Sequence, residues 1–69
     1  MMSNTIGNNI KKLRKESGMT QEQISVKLCM SRQTLSNYET GKRIPAIYEL
    51  VGLANVFKVS LDTIVGRKV

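Results

Sequence analysis

The sequence predicts an all-α fold, a compact five-helix domain, on three observations. Apolar residues recur at helical spacing in five successive stretches, and each stretch is bounded by residues that start or stop helices. Hydrophobic residues make up 41% of the chain while only 4% are aromatic, which favours a core of Ile, Leu and Val. At 69 residues there is material for one hydrophobic core, so residues 1–69 are expected to form a single domain without linker, repeat or low-complexity segment.

The first helix is expected from Thr5 to Ser17. Ile6, Ile10 and Leu13 fall on one face, Lys11, Lys12 and Lys15 point outward, and Gly18 supplies a left-handed stop. The second opens at "TQEQ", where Thr20 can accept from a backbone N–H while Gln23 reaches back as a capping box, and Ile24 and Leu28 form its buried edge. After "CMS", Ser31 is the N-cap of a third helix with Leu35 and Tyr38 inward and Gly41 at its end. Pro45 sits where a fourth helix can start, with Ile47, Leu50, Leu53, Ala54 and Phe57 as its core stripe. Ser60 can cap a short fifth helix presenting Leu61, Ile64 and Val65, before Gly66 and a basic tail.

Composition narrows the function. A formal charge of +6 attracts polyanions, and for a small basic domain nucleic acid leads, with a membrane surface as the competitor. No apolar run approaches the length of a transmembrane helix, and "MMSNTIGNNI" lacks the charged-then-apolar layout of a signal peptide. The lone Cys29 cannot form an internal disulfide, and a cytoplasmic location is expected. With no His, a single Cys and five acids scattered as Glu16, Glu22, Glu39, Glu49 and Asp62, the chain offers no metal cluster and no His-based catalysis. An enzyme is not expected, nor a cofactor, and no small-molecule pocket is evident.

Successive helical residues turn by about 100°, which places Arg32, Gln33, Ser36, Asn37 and Thr40 on the side of the third helix away from Leu35 and Tyr38. That side carries no acid. Arg32 offers a planar fork of donors, Gln33 and Asn37 amides that both donate and accept, and Ser36 a small hydroxyl. These types suit a DNA major groove, where Arg pairs with guanine O6 and N7 and Gln or Asn with adenine N6 and N7. Arg32 and Gln33 also lie in the first turn, which reaches deepest. The same pattern fits a solvated helix face, so composition leaves the two open.

The run "TQEQISVKLCMSRQTLSNYETGKRIP" resembles the helix-turn-helix of the Cro and phage-repressor (XRE-like) family of transcription regulators, with the motif at residues 21–40. Gln21 matches the Gln that opens the first motif helix; Glu39, Gly41 and Lys42 match the "E-x-G-K" after the second. Pro45 follows, then Leu50, Leu53, Ala54, Val59, Ser60, Leu61 and Asp62 fit "L-x-x-L-A…V-S-L-D". The resemblance implies a lambda-repressor-like domain, bacterial or phage-encoded, that binds double-stranded DNA as a transcriptional regulator, most simply a repressor. It implies base reading by Arg32, Gln33 and Asn37 with Ser36 peripheral, and phosphate contacts from Gln21, Ser31, Thr40, Lys42 and Arg43 with neighbouring backbone N–H groups. Such a division separates contacts that set register from contacts that set sequence. Two positions depart from the pattern: Ser25 stands where Ala is usual and Cys29 where Gly is usual. Ser fits a close helix contact, whereas Cys in a left-handed turn is strained. Cys29 is otherwise read as a buried small hydrophobe rather than a redox switch.

Arg14 and Glu39 each lie about 40° around their helices from an apolar position, Ile10 and Leu35, and so beside the core. They are expected to pair between the first and third helices, as equivalent residues do in the repressors the chain resembles. A single helix reads only a few base pairs, so a two-fold dimer on inverted half-sites is expected. Val51, Val56, Leu61, Val65 and Val69 provide surplus apolar surface, and the expected interface centres on Leu61 and Val65; the alternative is that these residues complete the monomer core. Val26 stands at an often polar position without explanation. Two other functional classes use the same features: a protein-interaction module, antitoxin-like or a bridging factor, and charge-driven coating of nucleic acid.

Overall fold

A computed structural model describes residues 4–66. Five helices follow in order: α1 (Thr5–Glu16), α2 (Gln21–Lys27), α3 (Arg32–Thr40), α4 (Ile47–Phe57) and α5 (Leu61–Val65), with no strand among the described residues. Val69 lies outside the described residues.

Local chemistry explains where each helix begins. The side chains of Asn4, Thr20, Ser31 and Ser60 accept from the backbone N–H three residues on, satisfying a donor that the helix itself leaves unpaired. At α2 the box is complete, with the Thr20 N–H donating to Gln23 Oε1 at 2.8 Å and the Gln23 N–H donating to Thr20 Oγ1 at 3.1 Å. The fourth helix differs from expectation. It starts at Ile47 behind Ala46, which has no capping side chain, and Glu49 Oε1 accepts from the Ala46 N–H at 3.0 Å instead. Pro45 is buried just before this start, where its fixed φ aims the chain into the helix.

The ends are left-handed turns. After α1, which stops one residue short of Ser17, the N–H groups of Gly18 and Met19 close back on Lys15 and Arg14 carbonyls at 3.1 and 3.2 Å. After α2 the same pair of bonds runs from Cys29 to Val26 and from Met30 to Ser25, and Cys29 adopts φ 55°. The turn thus keeps its left-handed form without glycine, at a cost of about 1–2 kcal/mol. Contrary to expectation, Cys29 is exposed rather than buried, because the reversal at this residue carries its side chain away from the core. Ser25 is buried, and its hydroxyl donates to the Glu22 carbonyl at 2.9 Å.

Ile10, Ile24, Leu35, Leu53 and Ile64 are fully buried, one from each helix, with Tyr38, Leu50, Ala54 and Phe57 around them. Ile6, Leu13, Leu28, Leu61 and Val65 pack against this cluster while half-buried. Ile47 is a correction to the expected stripe: it is 65% exposed, since it opens α4 and overhangs the end of the core. α1 is the central support, packed mainly on α3 and α5. Gly7 allows the approach to α3, because a Cβ there would collide with the Tyr38 carbonyl oxygen.

A buried carboxylate joins the first three helices. Glu39 receives Arg14 Nε at 2.7 Å and Nη2 at 3.2 Å, and Gln21 Nε2 at 3.1 Å, while Arg14 Nη1 donates to the Met19 carbonyl at 3.1 Å. The Glu39 side chain is 3% exposed and that of Arg14 14%, so neither charge has ready access to water. Glu39→Gln is expected to cost about 3–5 kcal/mol by stranding Arg14, measured by denaturant unfolding; an unchanged midpoint would show that water already solvates the pair.

Tyr38, beside Glu39 in α3, is also titratable and buried. Burial, aided by hydrogen bonding to Glu49 and by its charge, pushes the phenol from 10.0 up to about 12. The folded state therefore holds this proton more tightly than the unfolded chain does. Its contribution is full below pH 10 and is lost as pH rises towards about 12, amounting to about 2–3 kcal/mol. Alkaline unfolding curves of wild type and Tyr38→Phe should diverge in slope only across that window.

Candidate nucleic-acid interface

The third helix turns Leu35, Tyr38 and Glu39 into the protein and leaves Arg32, Gln33 and Thr40 exposed, with Ser36 and Asn37 half-buried on its flanks. Its start is fixed by Ser31, whose Oγ accepts from the Thr34 N–H at 3.0 Å and bonds the Thr34 hydroxyl at 2.8 Å. Its end is fixed from outside the helix-turn-helix. Asn4 Nδ2 donates to the Glu39 carbonyl at 2.8 Å, and Gly41 then reverses the chain at φ 83°.

The five polar residues of this face fall into two groups. Gln33 Nε2 donates to Asn37 Oδ1 at 3.0 Å, so these amides brace one another along the exposed ridge. Gln33 keeps its carbonyl oxygen and one N–H, the acceptor–donor pair that an adenine edge requires. Arg32, Ser36 and Thr40 instead line an open groove shared with Gln21 of α2 and with the near side of α1. Thr40 Oγ1 bonds back to the Ser36 and Asn37 carbonyls at 3.0 and 3.3 Å, which engages its only proton.

Other residues expected at phosphates are placed unevenly. Gln21 uses one N–H on Glu39 and retains a second, so bracing and phosphate binding are compatible in one side chain. Lys42 and Arg43 are exposed in the turn beyond α3. The Arg43 backbone N–H donates to the Asn37 carbonyl at 3.2 Å, so of this residue only the side chain is available to a phosphate. Leu61 and Val65 lie on α5, half-buried and packed on the core.

Two features escape a reading by periodicity. Asn4 and Asn9 act as clamps from α1, Asn9 Nδ2 donating to the Ile64 carbonyl at 2.9 Å; an Asn in a polar N-terminal run gives no sign of such long-range bonds. The largest exposed apolar side chains, apart from Val26, are Ile44, Ile47, Tyr48 and Val51. From Ile44 onward their spacing of three, one and three marks a stripe, hidden in the sequence because Ile47 also fits the core pattern. No helix among the described residues is long and apolar enough to cross a membrane.

Comparison with known proteins agrees with this geometry. Residues 10–64 match the helix-turn-helix family model. The chain is 39% identical over 59 residues to the HTH-type transcriptional regulator y4dJ of Sinorhizobium fredii, covering 86% of this chain and 77% of that protein. It is 35% identical to the HTH-type transcriptional regulator ImmR of Bacillus subtilis, over 91% of this chain and 50% of ImmR. It is 33% identical to the immunity repressor of Bacillus phage phi105, over 93% of this chain and 44% of that repressor. The chain thus spans about half the length of the latter two relatives. A transcriptional regulator from Listeria innocua superposes with a TM-score of 0.85 at 33% identity, over 93% of this chain and 60% of that one. The restriction-modification controller protein C.AhdI of Aeromonas hydrophila shares the fold, with a TM-score of 0.81 at 20% identity over 87% and 91% of the two chains. The chain belongs to the XRE-type helix-turn-helix family of DNA-binding transcriptional regulators, which are not enzymes.

Proposed function

We propose that this chain is a sequence-specific repressor that binds a palindromic operator as a homodimer, with α3 in the major groove. The observation that carries the reading is the acid-free face of α3, on which two braced amides and Arg32 stand on a helix anchored through Glu39 to α1 and α2. The repressor role is supported by the phi105 relative, which is an immunity repressor. The work would be done in the cytoplasm, on bacterial or phage DNA.

In this reading Arg32, Gln33 and Asn37 read base edges, with Ser36 at the margin. Gln21, Ser31, Lys42 and Arg43 hold phosphates and set the register, and Thr40 joins them by turning its hydroxyl proton from the Ser36 and Asn37 carbonyls to a phosphate. Two protomers place their α3 helices about 34–36 Å apart, one helical turn of DNA. The dimer surface centres on Leu61 and Val65 of α5. The stripe Ile44, Ile47, Tyr48 and Val51 is the competing surface, since it leaves more apolar area uncovered.

Selection from a random duplex pool at about 150 mM salt, where loose electrostatic binding is weakened, should enrich an inverted repeat. Failure to enrich any sequence would favour a protein-interaction module that uses the same face. On the selected site Gln33→Ala should cost about 1–3 kcal/mol with little loss on random DNA, whereas Lys42→Ala should weaken both alike. Equal losses for Gln33→Ala would exclude base reading by this residue.

Leu61→Glu and Val65→Glu, checked for folding by circular dichroism, should sediment as monomers while Tyr48→Glu remains dimeric. The reverse pattern would move the interface to the α4 stripe.

A further inference from the structure

The groove beside α3 has a second wall that the base- and phosphate-contact set does not use. It is formed by α1, whose Lys11 and Lys15 line the same groove as Arg32, Ser36 and Thr40. Four residues apart, the two lysines sit one above the other on a single face of α1, with Cβ atoms about 5–6 Å apart. Arg14 also lines the groove, but its guanidinium is committed to Glu39 and to the Met19 carbonyl. Both lysines are exposed, and among the described residues neither has an ion-pair partner.

The charge of this groove is one-sided. Its lining holds Lys11, Arg14, Lys15 and Arg32 against Glu22 and Glu39, and Arg14 already neutralises Glu39. Three cations therefore face one acid across a concave channel. Like charges four apart on a helix repel, and solubility alone does not require them in a concavity. A polyanion laid along the channel would turn that repulsion into binding. Lys12 supplies the contrast: it is exposed on the same helix but does not line the groove.

We propose that this groove holds a DNA backbone strand, with Lys11 and Lys15 binding phosphates next to the bases that α3 reads. The proposal rests on the DNA-binding reading above and extends it. α1 thereby becomes a DNA-contacting element as well as a support, and α3 is held by backbone contacts along its flank at the groove as well as beyond its end at Lys42 and Arg43. Phosphate contacts carry no sequence information, so these lysines raise affinity and fix orientation without changing the preferred site.

The test is the salt dependence of binding to the selected duplex and to a random duplex. Each phosphate contact contributes about 0.9 to the slope of log affinity against log salt, so Lys11→Ala/Lys15→Ala should make it shallower by about 1.8 on both duplexes. Between 50 and 200 mM salt the difference from wild type should then shrink about twelvefold, the consequence of that slope over a fourfold salt range. Alanine is the best helix former, so the exposed face of α1 tolerates it. Lys12→Ala should leave the slope as in wild type. An unchanged slope for the double variant, with Lys42→Ala still shallower, overturns the groove contact and leaves the DNA-binding reading intact. A loss as large for Lys12→Ala as for either groove lysine also overturns it, in favour of diffuse attraction. Absence of salt-dependent DNA binding in wild type would remove both proposals together.

Discussion

The position of the third helix depends on one carboxylate. Glu39 is nearly sealed from water, and a charge so placed is tolerable only while donors surround it. Arg14 supplies two bonds from α1 and Gln21 one from α2, so satisfying the charge fixes three helices relative to one another. Apolar packing alone is weakly directional and would tolerate small rotations of α3. A fork of two parallel N–H bonds to a carboxylate tolerates much less, because its strength falls with misalignment. The interaction therefore converts a generic hydrophobic contact into a defined orientation of the helix that carries the polar face.

Secondary restraints act in the same direction. Asn4 holds the Glu39 carbonyl at the end of α3, and Ser31 holds its start, so the nine-residue helix is fixed at both termini. A helix this short would be marginal alone in water, which makes such external restraints decisive. The left-handed Cys29 shows the cost that the motif accepts. The chain reverses between α2 and α3 at that residue without glycine, held there by the backbone bonds from Cys29 to Val26 and from Met30 to Ser25.

Function within this frame is a matter of which polar groups remain uncommitted. Thr40 and the Arg43 backbone are already engaged inside the protein, whereas Arg32, one N–H of Gln21 and the free half of the Gln33 amide are open to a partner. The lysines of α1 are likewise open. Affinity from phosphates and selectivity from base edges can thus be supplied by separate elements of one small domain.

The sequence by itself determined the number and order of the helices and most of their limits, the start of α4 behind Ala46 excepted, because caps, left-handed stops and apolar spacing are interactions between residues three or four apart. Thr20 with Gln23, Ser31 with Thr34 and Gly41 at its positive φ could each be read without knowing anything distant. Arg14 and Glu39 were legible as two charges beside apolar stripes, and the polar face of α3 as a property of one helix. Apart from the pairing of Arg14 with Glu39, expected between the first and third helices, only the tertiary structure decided which groups meet across the chain. Asn4 with the Glu39 carbonyl, Asn9 with the Ile64 carbonyl, and Lys11 and Lys15 with Arg32 are separated by many residues, and no periodicity relates them. The exposure of Ile47 and Cys29 was hidden for the same reason: burial depends on where a helix ends against its neighbours, and that is settled by packing rather than by local pattern.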